Sequence, residues 1–114
     1  MKIEKFEDIL SWQRSQDLAV AIYDIFSKNK DFSFKNQIER AVISIGNNIA
    51  EGYERKSNKE FTQFLYIAKG SCGEVRSMLY IALKLKYISA EEFETLANSS
   101  KEISKLLSGL IKKL

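Results

Sequence analysis

From Phe61 to Ala82 the apolar residues return by fours and threes: Phe61, Leu65, Ala68, Cys72, Val75, Leu79 and Ala82. That alternation is the period of a helix seam held against neighbouring helices, and a strand, whose side chains repeat every second residue, cannot reproduce it. The chain contains no proline, so nothing in its covalent structure interrupts the pattern. The spacing predicts one long helix from Asn58 to Lys86. A second apolar line, Phe64, Ile67, Met78, Ile81 and Leu85, runs beside the seam. It makes this helix apolar over more of its circumference than one bundle core requires, and so marks a candidate face for contact between subunits.

Three further segments carry the same periodicity. The first runs from Ile9 to Asn29, with Leu18, Ile22 and Ile25 inward and Trp12, Ala19, Tyr23 and Phe26 beside them. "SKNKDFS" breaks it, and the next helix starts after Asp31 or Ser33, either of which can accept hydrogen bonds from first-turn amides. Its stripe is Ile38, Val42, Ile45 and Ile49, and Gly52 is placed to close it in the left-handed conformation. Ser57 with Glu60, and Ser89 with Glu92, have the spacing of capping boxes. The second of these opens a last helix carrying Phe93, Leu96, Ile103, Leu107, Leu110 and Leu114. Four amphipathic helices joined by short turns predict an all-α protein, an antiparallel up-down four-helix bundle in one domain over residues 1–114.

The composition narrows the function classes. There is no histidine and one cysteine, which removes the usual members of metal sites, nucleophilic triads and histidine-dependent ribonuclease sites. The expectation is a protein without catalytic residues, metal or cofactor. The longest apolar runs, such as Leu18 to Tyr23, fall far short of the roughly 20 residues a membrane span needs. The start "MKIEKFEDIL" is not a signal peptide, so a soluble cytoplasmic protein without a membrane partner is expected.

Polar and small residues inside the helices are the remaining signal. Gly70 and Gly73 interrupt the third helix, where glycine costs about 0.5–1 kcal/mol relative to alanine. Two explanations stand: a close helix crossing inside the bundle, or close approach of a second subunit or a phosphate backbone. Cys72 falls on the seam and is expected in the core. Asn47, Asn48 and Glu51 near the end of the second helix are expected either to satisfy backbone groups of the following turn or to line a binding pocket, with Arg40 within reach as an ion partner.

Residues 54 to 86 hold seven cations against three carboxylates, a net +4 in a chain of net charge +3. Tyr66, Lys69, Arg76, Tyr80 and Lys84 align on one side of the third helix, and Arg55, Lys56 and Lys59 sit just before or at its start. This basic stripe with tyrosines is either an ordinary solvated face or a surface that meets phosphates and stacks on bases. Several copies around an axis would concentrate its field.

The central run "QIERAVISIGNNIAEGYERKSNKEFTQFLYIAKGSCGEV" resembles the family named after proteins encoded in 23S ribosomal RNA intervening sequences, and the similarity extends from "FEDILSWQRSQDLA" to "KYISAEEFETL". The matching positions are Gln37, Arg40 and Ala41, the stretch from Ser44 to Gly52 with Asn48 and Glu51, then Ser57, Glu60 and Phe61, then Ala68, Gly70 and Ser71. Gly46 and Asn47 stand where the family often has proline and serine, which implies a straighter or looser helix there. The resemblance implies a bundle protomer that assembles into a ring, a homopentamer. The similar accessory variability determinants of diversity-generating retroelements imply more: basic pentamers associating with RNA or DNA and with a nucleic-acid enzyme, a reverse transcriptase. The competing expectation is a protein-interaction scaffold that binds no nucleic acid.

Overall fold

Three of the four α-helices start where a polar side chain takes up a free amide of the first turn. The computed structural model describes residues 2–114. After a short 3-10 turn at Phe6–Asp8 come α1 (Leu10–Ile25), α2 (Phe32–Tyr53), α3 (Asn58–Lys84) and α4 (Ala90–Lys112), with no strand among the described residues. Asp31 caps α2 by accepting from Phe34 N at 3.2 Å. Ser89 and Glu92 form the reciprocal capping box at α4. At α3 only half of the expected box forms: Ser57 Oγ accepts from Glu60 N, while the Glu60 carboxylate turns to the Ser57 hydroxyl rather than its amide.

Each helix packs on its two neighbours in chain order and α1 closes against α4, leaving α1 opposite α3 and α2 opposite α4. This is the up-down four-helix bundle, 43 Å long and 23 by 19 Å across. Its length is that of α3, whose 27 residues at about 1.5 Å each span roughly 40 Å. All seven seam residues of α3 are buried, and they meet Leu18, Ile22 and Phe26, Ile38 to Ile49, and Leu96, Ile103 and Leu107 in one core. At roughly 1.5–3 kcal/mol for each fully buried aliphatic side chain, this seam holds the fold.

The helix ends differ from expectation in three places. α1 stops at Ile25 rather than Asn29, because Phe26 leaves the helix to enter the core and packs 5.9 Å from Phe34. Gly52 does not end α2 in a left-handed conformation; the helix runs on to Tyr53 and no described glycine has positive φ. Gly52 is required for a different reason, since a Cβ there would lie 2.5 Å from Phe64 Cβ on α3. The left-handed residue is Lys86, φ 61°, which ends α3 two residues early. There Tyr87 N donates to Ala82 O and Lys86 N to Leu83 O, the bond pair of a Schellman motif.

Candidate functional site

The basic stripe of α3 divides once the helix is packed. Lys69 and Arg76, seven residues apart and so nearly on one line, are half-buried where α3 meets α4. Lys101, Lys105 and Lys112 of α4 face them across a groove of about 430 Å³, floored by Ser104, Ser108 and Gly109. Five cations and no carboxylate line this groove. Among the described residues the one ion pair is Arg14 with Glu102 at 3.4 Å, so none of the five is neutralised by a partner. The small side chains of the floor leave the ammonium and guanidinium groups room to reach a phosphate.

The α4 lysines are absent from the sequence expectation, which followed charge along α3 alone. Their own spacing, 101, 105 and 112, is a helix line of fours and sevens and could have been paired with Lys69 and Arg76. Lys84 and Tyr66 lie on the exposed side of α3 and outside the groove. Tyr80 is turned toward α4, its ring 4.9 Å from that of Phe93 in an edge arrangement. Arg55, Lys56 and Lys59 are exposed at the α2–α3 turn, with the Arg55 guanidinium 4.9 Å above the Phe64 ring. The structure thus separates an α3–α4 cluster from a turn cluster.

Cys72 is buried on the seam, and burial pushes its thiol up to about 12, against the opposing pull of the Arg76 and Lys69 charges. A neutral thiol of that kind is a packing group rather than a nucleophile. Among the described residues no three histidine, cysteine, aspartate or glutamate side chains converge on a metal-sized site.

The outward face of α3 carries apolar and small residues interspersed with Gln63, Glu74, Ser77 and Lys84. Tyr66 is 58% exposed, Ile67 53%, Leu85 51% and Ile81 48%. Between them a Cβ added at Gly70 or Gly73 would meet nothing within 4 Å. The expectation of a close helix crossing inside the bundle at these glycines is therefore overturned: within the protomer they cost helix propensity and gain no packing. Two members of the second apolar line are already engaged within the protomer. Met78 is 7% exposed in the core, and Phe64 packs on Gly52 beneath Arg55. Ile67, Ile81 and Leu85 remain open.

The polar end of α2 also works differently from expectation. Asn48 Nδ2 donates backward to Ser44 O at 2.8 Å and to Ser44 Oγ at 2.9 Å, and Ser44 Oγ is 2.9 Å from Ser71 Oγ on α3. These groups join α2 to α3 rather than serving the following turn. Arg40 shares a shallow groove with Asn47 and Asn48, without a hydrogen bond to either, and Glu51 is exposed. Gly46 lets α1 approach α2, since a Cβ there would come within 2.7 Å of Ser15 Oγ; α2 passes this point as a continuous helix.

The signature run Gln37 to Ser71 thus occupies the α2–α3 contact, and residues 7–109 match the 23S rRNA-intervening sequence protein family. The chain belongs to that family. A crystal structure at 1.70 Å resolution of a protein of unknown function from the S23 ribosomal protein family of Bacteroides thetaiotaomicron VPI-5482 is similar to it, with TM-score 0.85 and 34% identity over 90% of this chain and 99% of that one. No curated protein matches. No described helix of this family member is long and apolar enough to cross a membrane.

Proposed function

We propose that this protein is a non-enzymatic cytoplasmic homo-oligomer, a pentamer, that binds the phosphate backbone of RNA or DNA in the groove between α3 and α4. The observation that carries this reading is the convergence of Lys69, Arg76, Lys101, Lys105 and Lys112 on one groove without a carboxylate. Each phosphate neutralised there would release condensed counterions, so affinity would come chiefly from salt-dependent electrostatics and carry little sequence preference. Arg55, Lys56 and Lys59 extend the positive field at the α2–α3 turn, while Tyr66, Tyr80 and Lys84 flank the groove on α3. The outer α3 face supports self-assembly, because Ile67, Ile81 and Leu85 leave apolar surface exposed beside glycines that permit close approach.

Fluorescence anisotropy with a structured RNA and a DNA duplex across a salt series tests the binding. Affinity should fall steeply with salt, and the Lys69→Glu/Arg76→Glu/Lys105→Glu variant should flatten the log–log slope by roughly 2–3. No binding at low salt, or an unchanged slope in the variant, would reject the groove. That same exposed α3 face favours a second reading, a protein-interaction scaffold in which the lysines only solvate the surface. Stable assembly without nucleic-acid affinity would select it.

A further inference from the structure

A second cleft adjoins the basic groove along α4, between that helix and the start of α1, and shares Lys101, Lys105 and Gly109 with it. It is an open cleft of about 780 Å³, within the range of small-molecule sites, and is apolar along Ile9, Leu10, Leu106 and Leu110. Ser11 lines it and is 2% exposed, yet its Oγ has no hydrogen-bond partner among the described residues. A buried hydroxyl normally has one, and leaving it unmade costs about 1–3 kcal/mol. Ile9, in the position before α1, supplies no side-chain cap to the amides of the first turn, and Leu10 and Ser11 are the first two residues of that turn. The uncapped end of this 16-residue helix, with its positive dipole, therefore borders the same cleft as the orphaned hydroxyl.

The charges around the opening complement an anion. Lys101, Lys105 and Lys113 line it, and the one lining carboxylate, Glu102, is paired with Arg14. We infer that this cleft binds a single-chain amphipathic carboxylate. The carboxylate would accept hydrogen bonds from the Ser11 hydroxyl and the first-turn amides, and the hydrocarbon tail would lie along Leu106 and Leu110. Because Ser11 Oγ has no exposed surface, contact with it requires a local shift of the side chains that cover it. Lys101 and Lys105 serve both this cleft and the basic groove, whereas Ser11, Leu106 and Lys113 line the cleft alone, so variants at those three positions separate this inference from the nucleic-acid reading.

Titration calorimetry of the full chain with decanoate, below its micellar concentration, tests it, with butyrate and decyltrimethylammonium as probes of the tail and the charge. Decanoate should saturate at one per chain, and the two controls should bind at least tenfold more weakly. Ser11→Ala should weaken decanoate about tenfold, the loss of one hydrogen bond to a charged group, and Leu106→Asp should abolish its binding. Should Leu106→Asp fail to fold by circular dichroism, Lys113→Glu, altering an exposed side chain outside the basic groove, should weaken binding severalfold in its place. Absence of saturable heat, equal binding of the cationic probe, or affinity unchanged in these variants would overturn the inference. So would a fall in particle mass on Leu106→Asp by light scattering, which would assign the cleft to a second copy of the chain.

Discussion

The inner and outer faces of α3 use the same residue types for opposite purposes. On the inner side, at the α2–α3 end of the bundle, Gly52 of α2 is buried because Phe64 Cβ occupies the space a methyl group would need. On the outer side Gly70 and Gly73 face open space. Apolar residues divide in the same way: Leu65 is fully buried, while Ile67, two positions on, is more than half exposed. An inner glycine or leucine is explained by what it touches within the protomer. An outer one lowers helix propensity or exposes apolar surface, and it is accounted for by contacts the protomer does not make.

The largest effect should come from exchanging core for surface. Leu65→Ala should cost the protomer about 2–5 kcal/mol in urea unfolding, the range for deleting a buried aliphatic side chain. Ile67→Ala should stay within about 0.5 kcal/mol at protein concentrations where the chain is monomeric. Comparable losses would mean that the outer face packs on something within the protomer, and the contrast would fail.

The glycines sharpen the contrast further because their effects should differ in sign. Gly52→Ala places its methyl against a Cβ that cannot rotate away, so α2 and α3 must separate, at about 1–3 kcal/mol. Gly70→Ala and Gly73→Ala should each stabilise the monomeric protomer by about 0.5–1 kcal/mol, the gain in helix propensity. If the outer face is a subunit contact, the double variant should also lose particle mass in light scattering. Higher stability with unchanged mass would leave the glycines without a role in assembly.

The contrast also marks how far the residues alone carry the argument. Helix count and the α3 seam follow from periodicity, because burial of one face imposes the repeat directly on the sequence, while the Asp31 and Ser89 caps follow from polar residues at the breaks. Gly52 does lie at the end of α2, but for another cause: a glycine before a polar turn has the same appearance whether it needs left-handed φ or proximity to another helix, and only the position of Phe64 separates the two. Met78 and Phe64 shared a line with Ile67 and Ile81, but a helical line does not say how wide the buried sector is; packing placed its border between them. The basic groove was legible by halves, Lys69 and Arg76 on α3 and Lys101, Lys105 and Lys112 on α4, and the register that opposes them is a tertiary fact. The Ser11 hydroxyl carried no signal at all, since a missing hydrogen bond is a property of its surroundings.

A change remote from both faces of α3 provides the control, with the smallest expected effect. Tyr87, just beyond α3, donates its hydroxyl proton to Asp31 Oδ2 at 2.6 Å, tying the α3–α4 turn to the α1–α2 turn. The Tyr87 hydroxyl and then Phe34 N hold the Asp31 carboxyl below its ordinary value, and Asp31 holds the Tyr87 phenol above its own. A depressed carboxyl contributes stability at pH values above its unfolded pKa near 4, and the contribution is lost as pH falls through the lower folded value. A raised phenol contributes below its unfolded pKa near 10, and the contribution is lost as pH rises through the higher folded value. Wild-type protein should therefore lose a little stability at both ends of the pH range. Tyr87→Phe should remove the alkaline decline and reduce the acid one, leaving a smaller acid contribution from Phe34 N. Particle mass and the salt slope of nucleic-acid binding should remain unchanged at neutral pH in that variant. If either shifted with Tyr87→Phe, the outer face of α3 would be coupled to the turns of the bundle, and its separation from the protomer's internal packing would no longer hold.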